Sequence, residues 1–193
     1  MSDSASRTRL ARAAARLAVT ARRGLPPLIL MTDDERLPDP VAAARALPKG
    51  SVVIVRARTR LTELVRQLLP MARQRGLFLL AAGEMVPGAD GVHLPQARVG
   101  EAARLRATRR ILLTASAHSF PALRQTTLVD AVLLSPVFAT ESHPGRAALG
   151  PVRAALMARQ SPRPVYALGG ITPENARRLS GFCGLAAIGA LAT

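Results

Sequence analysis

Two stretches carry side chains and backbone suited to holding a phosphorylated molecule and moving a proton on it. In the first, Val132-Leu133-Leu134 leads into Ser135-Pro136-Val137-Phe138-Ala139-Thr140-Glu141-Ser142-His143-Pro144-Gly145, an apolar run that ends in hydroxyls, a histidine and a glycine. In the second, Pro164 to Leu168 leads into Gly169-Gly170-Ile171-Thr172, and Pro173-Glu174-Asn175 opens a helix. Glycines at such a bend let an anion approach bare backbone N–H groups, and the N-terminus of the following helix favours negative charge. His118, in Thr114-Ala115-Ser116-Ala117-His118-Ser119, has the near-neutral pKa that suits proton transfer. The competing role for it is to order its loop through hydrogen bonds. His143 in the first loop is suited to touching a phosphate when protonated, or lies exposed on the surface.

Other polar residues have bland and functional readings side by side. Arg56 and Arg58 alternate with Ala57, so a persisting strand points both to one side, towards a ligand or a solvated rim. Gln96 hydrogen-bonds a substrate ring or caps the fourth helix. His93 lies within an apolar run and is expected to be a satisfied core histidine. Cys183 is expected to be inert core, and Asp33-Asp34 to serve a loop and helix cap.

The elements that must position these residues follow from periodicity. Eight short apolar runs read as strands: 28–31, 51–55, 77–80, 90–94, 111–114, 132–134, 164–168 and 183–188. Helices are expected over 5–23, 40–47, 61–75, 99–107, 121–127, 148–159 and 173–179. The link 81–89 is too short and too rich in glycine and proline for a full helix, and past the eighth strand and Gly189-Ala190 only Leu191-Ala192-Thr193 remain. Alternation of this kind specifies an α/β fold, a compact (β/α)8 TIM barrel with a reduced third helix and a missing final one. No Gly-x-Gly-x-x-Gly follows the first strand, which argues against a doubly wound sheet. Residues 1–24 form an extra basic helix outside the barrel of residues 25–193. Its stripe of Leu10, Ala14, Leu17 and Val19 is expected to fill the vacant eighth helix position. A second copy of the chain, in a homodimer, is the rival cover for that groove.

Composition narrows the classes. The chain has 193 residues, 49% of them hydrophobic, enough for one domain with a full core. No apolar run reaches the roughly 18 residues of a membrane span, and the N-terminus lacks the apolar centre of a secretory signal, so a cytoplasmic protein without membrane partners is expected. One cysteine excludes an internal disulfide and a multi-cysteine metal cluster. The formal net charge of +15 is almost wholly arginine, with Lys49 the one lysine. With only 3% aromatic residues there are few stacking platforms, so nucleic acid is expected to bind nonspecifically, through phosphate attraction.

The motifs GVHLPQ (91–96), TASAHS (114–119), LLSPVFATESHPGRAALG (133–150) and YALGGITPENA (166–176) resemble, in order and spacing, those of the thiamine phosphate synthase/TenI family. The resemblance implies a barrel handling the phosphorylated thiazole of thiamine biosynthesis. In the synthase this thiazole is coupled to an aminopyrimidine pyrophosphate with Mg²⁺; in TenI a related barrel isomerises a thiazole carboxylate phosphate. It further implies substrate contacts from Gln96, Ser116 and Ser135, and a phosphate cradle of Thr140, Ser142, His143, Gly169, Gly170 and Gly189. His118 takes an acid/base role by the same resemblance. The chain also departs from the family pattern: His143 stands where the family has a lysine, and the other departures lie in the first half. Arg56 and Arg58 stand where the family has arginine and lysine, Ala81-Ala82-Gly83-Glu84 where it has Asn-Asp-Arg, and Arg98 where it has a metal-binding aspartate. Mg²⁺ is thus expected of the family while its usual carboxylates are absent, and no metal ligands are assigned. The implied activity is a synthase with altered or lost coupling chemistry, a tautomerase using His118, or a nonenzymatic thiazole-phosphate-binding regulator.

Overall fold

The computed structural model describes residues 3–21, 25–108, 110–140 and 147–191. Eight parallel strands close into one barrel in sequence order: β1 (Leu28–Met31), β2 (Val52–Val55), β3 (Phe78–Ala82), β4 (Gly91–Leu94), β5 (Leu112–Ala117), β6 (Ala131–Leu134), β7 (Val165–Ala167) and β8 (Gly184–Ala187). The seam is β1 on β8, with Leu28, Leu30 opposite Leu185, Ala187. Helices α1 (Asp3–Ala21), α2 (Pro40–Arg45), α3 (Leu61–Arg75), α4 (Ala102–Thr108), α5 (Phe120–Arg124) and α6 (Pro151–Arg159) surround it. Among the described residues no helix is long and apolar enough to cross a membrane.

Side-chain alternation along each strand separates two apolar layers. Leu28, Leu30, Val53, Val55, Val132 and Leu134 face outward into the layer under the helices. Ile29, Met31, Val52, Ile54, Leu80, Leu133 and Tyr166 fill the barrel itself. Tyr166 plugs its floor, where the buried hydroxyl donates to the Pro26 carbonyl at 2.5 Å. The same parity carries Arg56, His93, Ser116 and Ser135 inward at the opposite, C-terminal mouth.

Capping residues set several helix ends. Asp39 accepts from the Ala42 N–H at 2.8 Å with Pro40 in the first turn, and Ser119 accepts from the Ala122 N–H. There is no helix between β3 and β4, and after β8 only a 3₁₀ turn, Gly189–Leu191, is described. The helix α1 lies against β8 and β1, burying Leu10, Ala14 and Leu17. Arg16 donates to the carbonyls of Ala176 and Arg177 at 3.3 and 3.4 Å. Val19, expected in the stripe, is 78% exposed: it lies off the i, i+4, i+7 line of the other three.

Several element bounds differ from those expected. Gly150, at φ +76°, and Pro151 start α6 three residues later than expected. The expected helix 99–107 opens as a 3₁₀ turn, Gln96–Glu101, before α4. The expected helix 173–179 shrinks to a 3₁₀ turn, Ala176–Arg178. Thr172 and Asn175 close the bend before it by bonding each other's N–H groups through their side-chain oxygens. The fifth strand runs on to Ala117, which brings Ser116 into the sheet.

Candidate functional site

A cavity of about 830 Å³ opens at the carboxyl ends of the strands. Eight of the residues selected from the sequence line it: Arg56, Gln96, Ser116, His118, Ser135, Thr140, Gly169 and Gly170. Gly189 begins the 3₁₀ turn whose Ala190 is on the wall. Ser142 and His143 lie outside the described residues.

The loops after β6 and β7 are zipped together. Val137 and Phe138 donate their N–H groups to the Leu168 and Gly169 carbonyls at 2.9 and 3.0 Å. A side chain at Gly170 would put its Cβ 2.1 Å from the Ala139 carbonyl oxygen, and the residue sits at φ +63°, so only glycine fits. Asn175 accepts from the Thr172 N–H and donates to the Gly170 carbonyl at 2.7 Å, fixing the bend from the far side. The carbonyls of this bend are thus engaged, while among the described residues the N–H groups of Gly169 and Gly170 have no hydrogen-bonding partner. Consecutive N–H groups in such a bend suit an anion.

His118 hangs from this same side. Its Nδ1 lies 2.9 Å from the Ser135 carbonyl oxygen and 3.1 Å from Ser135 Oγ. A carbonyl only accepts, so Nδ1 carries the hydrogen and the lone pair of the neutral ring is at Nε2. The His118 N–H donates to Gln96 Oε1 at 2.9 Å. Gln96 therefore does not cap the fourth helix. It holds the acid/base candidate in place, and its amide oxygen is committed to that bond.

The opposite wall is built from charges. Asp33, after β1, accepts from Arg36 Nε and Nη2 at 3.4 and 3.0 Å and also binds Arg56 Nη2. Burial alone would raise the Asp33 pKa; the Arg36 hydrogen bonds, and the charges of Arg36 and Arg56, outweigh it and hold the carboxyl at about 2. Two guanidiniums thus meet at one carboxylate. Arg58 does not join it. The strand ends at Val55, the alternation lapses, and Arg58 turns out 84% exposed to meet Glu35 at 3.3 Å. It lines a separate groove with Arg60, Arg66, Glu84 and Arg98.

That groove occupies the region where the family resemblance implies Mg²⁺ ligands, and its donors do not suit the ion. Mg²⁺ needs carboxylates in octahedral reach. Here Glu84 faces Arg98, which forms a two-point pair with Glu101 at 2.5 and 2.8 Å. Among the described residues no three His, Cys, Asp or Glu side chains are grouped to hold a metal.

Asp33 has the expected loop role, its Oδ1 accepting from the Glu35 and Arg36 N–H groups at 3.2 and 3.1 Å, but sequence reasoning missed Arg36 on the cavity wall and the bond from Asp33 to Arg56, because the loop after β1 meets β2 only in the fold. It also undervalued His93, which is buried as expected yet lines the cavity, bonded to Thr114 and Ser116.

The model of the thiamine monophosphate synthase family matches residues 28–191. A protein of Aquifex aeolicus (strain VF5) named "Putative thiamine-phosphate synthase 2" is 36% identical over 88 residues, 45% of this chain. The chain spans about half the length of this curated relative, 47% of it. The fold is similar to thiamine phosphate pyrophosphorylase from Pyrococcus furiosus, with a TM-score of 0.71 and 22% identity over 87% of each chain. It also resembles a xylanase-alpha-amylase inhibitor protein solved with trehalose, with a TM-score of 0.57 and 10% identity over 87% of this chain and 94% of that one. At these identities both structures speak to the fold alone.

Proposed function

Since the chain belongs to the thiamine monophosphate synthase family, we propose that it binds the phosphorylated thiazole of thiamine biosynthesis in the barrel-mouth cavity and has an altered pyrimidine- and metal-binding half. The observation that carries this reading is the bend at Gly169 and Gly170. Its N–H groups line the cavity with no protein partner among the described residues, beside Thr140 and Ala190. A phosphate seated there leaves the ring to lie against Ser116, Ser135 and His118. Arg56, on the opposite wall, offers an anionic substituent at the far end of the ligand a guanidinium partner.

Coupling to a pyrimidine pyrophosphate requires charge to be neutralised as pyrophosphate leaves. The groove beside Glu84 and Arg98 has the wrong donors for Mg²⁺, so coupling is expected to be slow or absent. His118 favours a second reading, a tautomerase. An imidazole at this place can take a proton from one position of the thiazole-derived ring and return it at another, with no net change in redox state or charge. The long-range attraction of a +15 chain for nucleic acid is incidental to this site.

Titration calorimetry with the thiazole phosphate, paired with a coupling assay with and without Mg²⁺, tests the reading. Binding at sub-millimolar concentration with little Mg²⁺-dependent coupling is expected. No binding at millimolar concentration sinks the thiazole assignment, and brisk Mg²⁺-dependent coupling sinks the altered half. Isomerisation of a thiazole carboxylate phosphate, lost in His118→Asn, supports the tautomerase.

A further inference from the structure

We propose that Thr114, His93 and Ser116 form a hydrogen-bond relay with a fixed direction, which makes His93 a positioning residue and turns the Ser116 hydroxyl into a donor aimed at the ligand. The three side chains occupy inward positions of neighbouring strands. His93 is in register with Thr114, and Ser116 follows two residues on along the same face of β5. His93 Nδ1 lies 2.9 Å from Thr114 Oγ1, and Nε2 lies 2.9 Å from Ser116 Oγ. Distances alone admit either ring tautomer.

Satisfaction of the buried donors chooses between them. Thr114 is 3% exposed, and His93 Nδ1 is the one partner of its hydroxyl among the described residues. With the hydrogen on Nδ1, Thr114 would have to accept, and its own proton would be buried facing no acceptor. An unmet buried donor costs its full desolvation. With the hydrogen on Nε2, Thr114 donates to Nδ1 and His93 donates to Ser116, so each buried donor finds an acceptor. A protonated ring would donate at both ends and orphan the threonine again. Burial, and then the charge of Arg56, also oppose it, lowering the His93 pKa to about 3.

Ser116 ends the relay at the cavity wall. His93 fills one of the two lone pairs on its oxygen, so its proton is not spent on the ring and is presented to whatever fills the cavity. That wall therefore favours a ligand with an acceptor atom there, such as a ring nitrogen or a carboxylate oxygen, which takes up the hydroxyl proton. The ligand part of this inference rests on the cavity being the thiazole phosphate site; the direction of the relay does not.

Histidine-selective ¹⁵N NMR of the full chain tests the direction. The Nε2–H tautomer of His93, unchanged from about pH 8 to 5, is expected; an Nδ1–H tautomer or titration near pH 6.5 overturns the relay. In Thr114→Val the tautomer should become mixed, and Thr114→Ser, which restores the hydroxyl, should return it to Nε2–H. Thiazole phosphate should bind about five-fold more weakly to Thr114→Val and to Ser116→Ala. The double variant should be no worse than Ser116→Ala alone, whereas multiplying losses would show independent roles and overturn it. Inorganic phosphate, which engages only the glycine bend, should bind all of these within about two-fold of the unaltered protein. Failure of both phosphate and thiazole phosphate to bind the unaltered chain would overturn the proposed function, while the tautomer still decides the relay.

Discussion

The loops after β6 and β7 meet the cavity mainly with backbone, while those after β1 and β2 meet it with guanidinium and carboxylate groups. The first arrangement is rigid and selective by shape: Gly170 sits where no Cβ fits, and among the described residues the zipped strand ends offer the Gly169 and Gly170 N–H groups, with Thr140 beside them. The second is held by charge, with Asp33 shared between Arg36 and Arg56. A backbone site tolerates little change of residue, whereas a charged rim can be rewritten one side chain at a time.

The largest test strikes the backbone half. Gly170→Ala should destabilise the fold by about 3 kcal/mol or more, because the methyl group overlaps the Ala139 carbonyl at a left-handed φ. For a chain of this size that lowers Tm by roughly 6–12 °C. Phosphate affinity should fall with it. Unchanged melting with intact phosphate binding would remove the contrast between the halves.

The next test lies on the wall between them. His93 is neutral in the folded barrel, with its pKa near 3, and ordinary when unfolded. The unfolded chain therefore binds the extra proton first, so stability is whole above about pH 6.5 and is lost as pH falls towards 3. The slope should reach at most about 1.4 kcal/mol per pH unit. His93→Gln should flatten it in urea unfolding curves taken between pH 7 and 4; equal slopes would place the histidine in contact with water.

A smaller effect belongs to the charged half. The Asp33 carboxyl is depressed to about 2, so its contribution is present above the ordinary carboxylate pKa and disappears as pH falls from about 4 to 2. Asp33→Asn should cost on the order of 1–2 kcal/mol at pH 7, less than the bare shift converts to, because Arg56 is 43% exposed. The same variant should bind inorganic phosphate more tightly at low salt, having lost the negative member of the wall. The least effect is expected of Arg58→Ala. Its pair with Glu35 is fully at the surface, so stability should move by less than about 0.5 kcal/mol. Phosphate affinity that dropped more than two-fold would bring the outer groove into the site.

Much of this was legible in the sequence because a parallel barrel repeats one rule. Each apolar run is a strand, and whatever stands at its carboxyl end faces the mouth. That rule places Ser116, Ser135, Thr140 and the two glycines. It fails where a strand stops: parity is meaningful up to Val55 and one step beyond, so Arg56 turns in and Arg58 is lost to the next loop. Partnerships across strands are invisible without register. The sequence shows His93 in an apolar run, but its neighbours Thr114 and Ser116 follow only from the β4–β5 pairing. The Asp33 clamp is hidden for the same reason, joining residues 23 apart. The lapsed helix 173–179 has a local cause. The mutual bonds of Thr172 and Asn175 satisfy the turn's own N–H groups and leave little for a longer helix to gain.

The seam between β8 and β1 also sets a clock. Arg16 on α1 holds the carbonyl of a residue 160 positions later. At a ribosomal pace of about 5–20 residues per second, α1 waits on the order of ten to thirty seconds before the surface it covers has been made. During that wait Leu10, Ala14 and Leu17 have no barrel to lie on, and Arg7, Arg9, Arg12 and Arg16 keep the segment hydrated. The open edge of β1 waits with them. Closure joins residues as far apart as Leu28 and Leu185, which makes it a strongly nonlocal event in the fold. Substitutions at Leu10 or Leu17 should accordingly register first in the yield of folded protein from synthesis, before any change at the mouth of the barrel.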